Sequence, residues 1–197
     1  NTGENTGGMG VVAPHPRFGA AEMAAFRRDI LEPTLKGIQA EGMDFAGVIF
    51  FGLMVNASGV YLLEYNMRFG DPETQAVLPL MQSELLDAVQ AALDRRLDDS
   101  AFRWQDAHAC CVVAASAGYP GEFRTGLPIA NLERARFYAQ IFIAGARQDC
   151  GEMLTSGGRV LNCVGVAPIA EAARQKAYDA IAQVQFDGIT YRRDIGL

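Results

Sequence analysis

The sequence predicts an α+β protein in which antiparallel strand pairs and helices occupy separate stretches of the chain. Three observations carry that reading. An apolar run over residues 45–55 is joined by the four-residue turn Asn56-Ala-Ser-Gly59 to an alternating segment over residues 60–68, a β-hairpin pattern. Helical spacing is confined to other stretches, at residues 20–42 and again after Ser83. Residues 99–197 then read as several short strands followed by one long helix, a small α+β unit of its own.

Taken in order, residues 1–10 hold four glycines and a doubled Asn-Thr-Gly, a loop whose amides are free to wrap an anion. Pro14 and Pro16 make residues 11–18 an extended connector. Met23, Phe26, Ile30 and Leu31 follow at helical spacing, and Pro33 opens a second helix that Gly42 stops. The 45–55 run is too short to cross a membrane and reads as a buried strand. Ser83 caps a helix with Leu86, Val89, Leu93 and Leu97 as its apolar stripe. Asp98-Asp-Ser100 is a polar break, and it divides the chain into domains at 1–98 and 99–197. Beyond it, strands are expected at 109–115, 137–144 and 160–166, the last entered by a turn at 154–159. A helix is expected at 170–184, and Asp187-Gly188 turns the chain into a final extended segment, 189–195.

The chemistry concentrates in the second hairpin strand. Period-two alternation puts Glu64, Asn66 and Arg68 on one face, about 6–7 Å apart along the strand, and Leu63, Tyr65 and Met67 on the other, available for burial. A carboxylate and an amide oxygen are hard ligands suited to magnesium, which commonly shares its shell with substrate phosphates. An arginine one step further can grip a phosphate in fork geometry. The strand then meets Gly70, where backbone can approach a ligand, and Pro72, which ends pairing.

Composition narrows the partners. The 197 residues are 50% hydrophobic and 20% charged, with a net charge of -6, and no Lys/Arg cluster exceeds two residues. That balance argues against nucleic acid as a partner. No run of 18 apolar residues and no charged-then-apolar leader is present, so neither membrane spanning nor secretion is expected. Cys110, Cys111, Cys150 and Cys163 lack zinc spacing, and three of them sit in apolar strand-like surroundings. Reduced buried thiols and a cytoplasmic setting are the expectation. The chain starts without methionine on a functional-looking loop, which suggests a fragment.

Five segments together resemble one family. They are Asn5-Thr-Gly-Gly-Met-Gly10, Gly47-Val-Ile-Phe-Phe-Gly-Leu-Met54, Leu63-Glu-Tyr-Asn-Met-Arg-Phe-Gly-Asp-Pro-Glu-Thr-Gln75, Ser156-Gly-Gly-Arg-Val160 and Tyr191-Arg-Arg-Asp-Ile-Gly196. In order and kind they are similar to glycinamide ribonucleotide synthetases, the phosphoribosylamine–glycine ligases of the ATP-grasp superfamily. The resemblance implies the C-terminal part of an ATP-grasp domain, an antiparallel sheet with helices, followed by a small α+β C-terminal domain. It implies ATP and Mg2+ or Mn2+ as cofactors, glycine and 5-phosphoribosylamine as substrates, and a missing N-terminal half that holds adenine. By resemblance Glu64 and Asn66 are metal ligands, Arg68 neutralises phosphate charge, and Asp71 and Glu73 orient the glycine ammonium or the amine substrate. The same comparison makes Thr6, Gly7, Gly8, Met9 and Gly10 a loop that closes over an acyl phosphate, and sets Gly157, Gly158 and Arg159 beside the ribose phosphate.

The chain departs from the family pattern at Glu4, where proline is usual, and in having no acidic ligand over residues 49–55. The fragment by itself is expected to be inactive. Two other readings fit the residues: another ATP-grasp carboxylate–amine ligase or carboxylase, and a non-catalytic assembly module.

Overall fold

In a computed structural model, residues 3–197 are described; Asn1 and Thr2 of the doubled Asn-Thr-Gly lie outside the described residues. The strands are β1 (Gly10–Ala13), β2 (Phe50–Asn56), β3 (Gly59–Asn66), β4 (His108–Ala115), β5 (Gln140–Ile143), β6 (Ala146–Asp149), β7 (Glu152–Thr155) and β8 (Arg159–Ala167). The α-helices are α1 (Ala20–Phe26), α2 (Glu32–Ala40), α3 (Glu73–Val77), α4 (Leu85–Leu93), α5 (Leu132–Arg136) and α6 (Ala170–Ile181). They form two compact units that interleave in sequence. One comprises Asn1–Ala13, Asp71–Leu80 and Gln105–Leu197; the other comprises Pro14–Gly70 and Met81–Trp104.

The first unit is built on a four-stranded antiparallel sheet in the order β1-β4-β8-β5. Its central strands read as continuous apolar runs because both of their faces are covered. Cys110, Val112 and Ala114 of β4 point with Leu161 and Cys163 of β8 into a core closed by Ala173, Ala177 and Ile181 of α6. Ala109, Cys111, Val113 and Val164 point the other way, onto Ala76 of α3 and Leu80. The residues at 11–13, read from sequence as connector, are edge strand β1: Val12 faces the first core and Val11 the second.

The 137–144 strand is shorter than expected. Asn131, in the left-handed region at φ 64°, leads into α5, and pairing begins only at Gln140, leaving Phe137 exposed. The hairpin β6–β7, turning through Cys150 and Gly151 at positive φ, was not legible: its strands are four residues each and three of its eight positions are charged at alternating intervals. Residues 189–195 run extended, with one bridge between Thr190 and Ala115 in place of a full strand.

In the second unit, the two helices expected around Pro33 are continuous. A π-helical turn, Arg27–Leu31, joins α1 to α2 and places Pro33 in the first turn of α2, where its missing N–H costs no hydrogen bond. The hairpin β2–β3 is as expected in its turn, but β2 begins at Phe50 rather than at residue 45. The apolar stripe assigned to α4 is corrected: Leu86 and Leu93 are exposed, and the buried contacts come from Ala88 and Ala91.

Three thiols are buried and free, as expected, and Cys150 is exposed. Burial pushes Cys110 up to about 11 and Cys163 up to about 12, and raises Cys111 as well. Alkylation of the native protein at mildly alkaline pH is therefore expected to label one thiol per chain. All four react after denaturation, a difference read directly by intact mass. Labelling of more than one native thiol would show that the β4–β8 core opens.

Candidate active site

The residues singled out from sequence fall into two groups, one in each unit. In the second unit they lie at the open end of the β2–β3 hairpin. The strand register shifts between Gly52, which faces Glu64, and Leu53, which faces Leu62, so Leu63 is an extra residue without a partner. This bulge corrects the simple alternation. Leu62 joins Tyr65 on the side toward the helices, where Tyr65 meets Phe51 and Phe51 meets Phe26 edge-on at 5.1 Å. Leu63 and Met67, expected to be buried, are 62% and 59% exposed.

The polar residues keep their order. Asn66 Nδ2 donates to Glu64 Oε1 at 3.0 Å, and Arg68 Nη2 donates to Asn66 Oδ1 at 3.1 Å. Arg68 stands just past the last strand residue, its other arm fixed on the carbonyl of Phe69 at 2.9 Å. Space for Glu64 is made by Gly52 opposite, where an added Cβ would lie 2.9 Å from Glu64 Cγ. Gly52 thus seats the carboxylate, a role that the apolar run containing it concealed.

This donor set fits a magnesium ion. Glu64 and Asn66 are within hydrogen-bond distance of each other, so their oxygens can reach one cation whose bonds are about 2.0–2.1 Å long. The Asn66 amide turns its nitrogen toward Glu64 and its oxygen toward Arg68. Its terminal torsion is a soft two-fold one, and turning the oxygen onto a cation beside Glu64 would exchange both hydrogen bonds for the metal contact. Among the described residues no group of three or more His, Cys, Asp or Glu gathers as a metal cage. Two protein oxygens with the remainder from phosphate and water is the usual magnesium arrangement.

In the first unit, the Gly-rich loop, Asp71 and Arg159 come together. Arg159 Nη2 meets Asp71 Oδ2 at 2.6 Å, and Nη1 donates to the Asp71 carbonyl at 2.8 Å and to the Gly8 carbonyl at 3.1 Å. Gln75 Nε2 donates to the other oxygen of Asp71 at 2.9 Å, so both carboxylate oxygens are engaged. Glu73 opens α3 and is half-buried. Thr6 and Gly7 are exposed; Met9 packs into the core, and Gly10 already belongs to β1. The Gly157-Gly158 turn is held by Ser116, whose hydroxyl donates to Gly157 O at 3.0 Å and whose N–H donates to Gly158 O at 2.8 Å.

One participant was missed in the sequence. Tyr119, taken there as part of a Gly-Tyr-Pro-Gly turn, accepts a hydrogen bond from the Gly7 N–H at 3.0 Å. An aromatic inside a turn otherwise made of glycine and proline was the available signal. Beside the loop, an open pocket of about 710 Å³ is lined by Glu4, Asn5, Thr6, Tyr191 and Arg192, so the unusual Glu4 shares its walls with a guanidinium.

Comparison with known proteins places this geometry. Residues 1–74 match the family description "Phosphoribosylglycinamide synthetase, ATP-grasp (A) domain", and residues 109–197 match "Phosphoribosylglycinamide synthetase, C domain". The phosphoribosylamine–glycine ligase of Clostridium acetobutylicum is 50% identical over 196 residues, which is 100% of this chain and 47% of that protein. The trifunctional purine biosynthetic protein adenosine-3 of Gallus gallus is 40% identical over 98% of this chain and 20% of its own length. The crystal structure of the phosphoribosylamine–glycine ligase from Thermotoga maritima superposes with a TM-score of 0.86 at 36% identity, covering 98% of this chain and 47% of that one. A biotin carboxylase domain from Hydrogenobacter thermophilus, at 13% identity and a TM-score of 0.58, shares the fold. The chain spans about half the length of the curated phosphoribosylamine–glycine ligases it matches. With its motifs, its antiparallel α+β architecture and both family matches in agreement, the chain belongs to the phosphoribosylglycinamide synthetase family.

Proposed function

We propose that this chain is the C-terminal portion of an ATP-dependent ligase that joins glycine to 5-phosphoribosylamine. The products are glycinamide ribonucleotide, ADP and phosphate, a step of purine biosynthesis. The γ-phosphoryl group of ATP passes to the glycine carboxylate, releasing ADP and giving glycyl phosphate. The amine of phosphoribosylamine attacks the acyl carbon, the bond to phosphate breaks, and the amine gives up a proton as the amide forms.

The single observation that carries this reading is the hydrogen-bonded series Glu64–Asn66–Arg68 at the end of the β2–β3 hairpin. Glu64 and Asn66 are the residues that would hold Mg2+ or Mn2+, which when bound offsets the charge of the nucleotide phosphates. Arg68 supplies a fixed positive charge at the transferring phosphoryl group, where positioning and electrostatics do most of the catalysis. The Gly-rich loop presents the Gly8 N–H to the acyl phosphate, the Gly7 N–H being held by the Tyr119 hydroxyl. Asp71, expected from the resemblance to orient the substrate ammonium or amine, has both oxygens engaged by Gln75 and Arg159 and is assigned here to fixing Arg159. Glu73 keeps the assignment to the ammonium or amine group of a substrate. The division into an ATP-grasp portion, 1–98, and a small C-terminal domain, 99–197, is likewise proposed; its support is that the two family matches stop at 74 and resume at 109. A cytoplasmic setting is likewise proposed, on the expectation of reduced thiols, three of which are buried and free. Among the described residues no helix is long and apolar enough to cross a membrane.

The test is ADP release by the full-length polypeptide carrying this chain. Glycine and phosphoribosylamine together are expected to drive stoichiometric amide formation. Turnover with bicarbonate or another amino acid, but not with glycine, would favour a different ATP-grasp ligase or carboxylase. No nucleotide turnover with any carboxylate would favour an assembly module. The isolated 197 residues, about half of a relative's length, are expected to bind Mg-ATP weakly; tight stoichiometric binding by isothermal titration would contradict that.

A further inference from the structure

Resting on the ligase reading, we propose that Tyr119 and Arg159 are positioning residues. They fasten the Gly7–Gly8 backbone so that it stays closed over the acyl phosphate and keeps water from it. Residues 3–8 are all exposed, and pairing with the sheet begins only at Met9, whose carbonyl accepts from Val113 N–H at 3.2 Å. A glycine-rich segment of that kind has large conformational freedom to lose and would not hold one shape unaided. Two ties supply the restraint. The Gly7 N–H is turned toward the Tyr119 hydroxyl, and the Gly8 carbonyl is turned toward the Arg159 guanidinium. Between them the Gly8 N–H has no protein acceptor among the described residues. It is therefore free to donate to an anion.

Both ties are themselves braced. Arg159 is gripped by the carboxylate and the carbonyl of Asp71. The Tyr119 ring packs closely against Gly158, where an added Cβ would stand 2.2 Å from its Cδ2, and Ser116 holds that turn through two hydrogen bonds. The hydroxyl is thus delivered to Gly7 by a ring that cannot swing toward the Gly157–Gly158 side. Neither residue needs to touch the reacting atoms. Their effect is on what else reaches the acyl carbon. If the loop loosens, water replaces the amine in attacking glycyl phosphate, the carbon–oxygen bond to phosphate breaks, and glycine and phosphate leave. The net result is ATP hydrolysis without amide.

The experiment uses the full-length polypeptide, wild type and Tyr119→Phe, which keeps the ring and removes only the hydroxyl. ADP formed per amide made is measured beside amide hydrogen exchange over residues 3–10, with the melting midpoint as a folding control. For Tyr119→Phe the ADP-to-amide ratio is expected to rise severalfold above unity, with amide kcat about five- to tenfold lower, the scale of one lost hydrogen bond. The KM for ATP and the melting midpoint should not move, while loop exchange accelerates by a similar factor. Arg159→Lys, which keeps the charge but loses the fork, is expected to raise the ratio too. An active wild type with unchanged coupling or unchanged loop exchange in Tyr119→Phe overturns the inference and leaves the ligase reading standing. A wild type that consumes no ATP with glycine overturns that reading and this inference together.

Discussion

Glu64→Gln in the full-length polypeptide is expected to lower magnesium-dependent turnover by about a thousandfold, the scale seen when one fixed electrostatic group at a transferring charge is removed. The substitution is nearly isosteric, and an amide oxygen can still accept the hydrogen bond from Asn66, so the hairpin keeps its shape. What is lost is the anionic oxygen that a hard cation requires. Because Glu64 is exposed and packs only over Gly52, the melting midpoint should change by less than about 2 °C. Steady-state ADP release over a magnesium titration, with a circular dichroism melt, checks both parts. A rate within tenfold of wild type would remove Glu64 from the metal site. A large drop in midpoint would mean that its role is structural.

The largest stability effect is expected at a residue with no chemical role. Gly165 lies in β8 opposite Cys110, directly beneath α6. A Cβ there would stand 2.1 Å from the Ala173 carbonyl and 2.8 Å from the Ala177 amide, both backbone atoms of the helix. The buried side of α6 is correspondingly small, with Ala173, Ala177 and Ala180 fully inaccessible. Nothing flexible can give way. Gly165→Ala must lift the helix off the strand and loosen its contacts with Leu161 and Cys163. We expect a loss of about 3 kcal/mol, the upper range for overpacking a core, and a fall in midpoint of about 10 °C. Chemical denaturation gives the free energy directly. Gly37→Ala in α2 is the matched control: nothing lies within 4 Å of its added methyl, and alanine is the better helix former by about 1 kcal/mol. A Gly165→Ala variant as stable as wild type would show that α6 does not bear on β8 this closely.

How much of this was legible in the sequence depended on the range of the interactions involved. The turn of the β2–β3 hairpin, the order Glu64–Asn66–Arg68 and the apolar strands β4 and β8 are local properties of spacing and hydrophobic pattern, and they appear where the pattern put them, although β2 starts five residues later than its apolar run. The burial of Cys110, Cys111 and Cys163 followed from the same runs. The bulge at Leu63 did not, because a one-residue slip in pairing depends on the partner strand and leaves the alternation of a single strand unaltered. Nor did the exposed face of α4, where alanines rather than leucines make the contacts.

The loop, Asp71, Tyr119 and Arg159 mark the same boundary. For the loop, Asp71 and Arg159 the residue types and family motifs were present in the sequence and determined the chemistry assigned to them; Tyr119 was legible only as part of a turn. Which side chain meets which was decided by topology. Strand β4 takes β1 on one side, with Gly10 opposite Val112, and β8 on the other, with Arg159 opposite Ala115. Both neighbours run antiparallel to β4, so the residues before β1 and the first residue of β8 arrive at the same end of the sheet, beside the turn that follows β4. That geometry brings Arg159 to Gly8 and Tyr119 to Gly7 across 151 and 112 positions of sequence. Spacing along one chain encodes contacts within an element; contacts between distant elements exist only once strand order and register are fixed by a shared core.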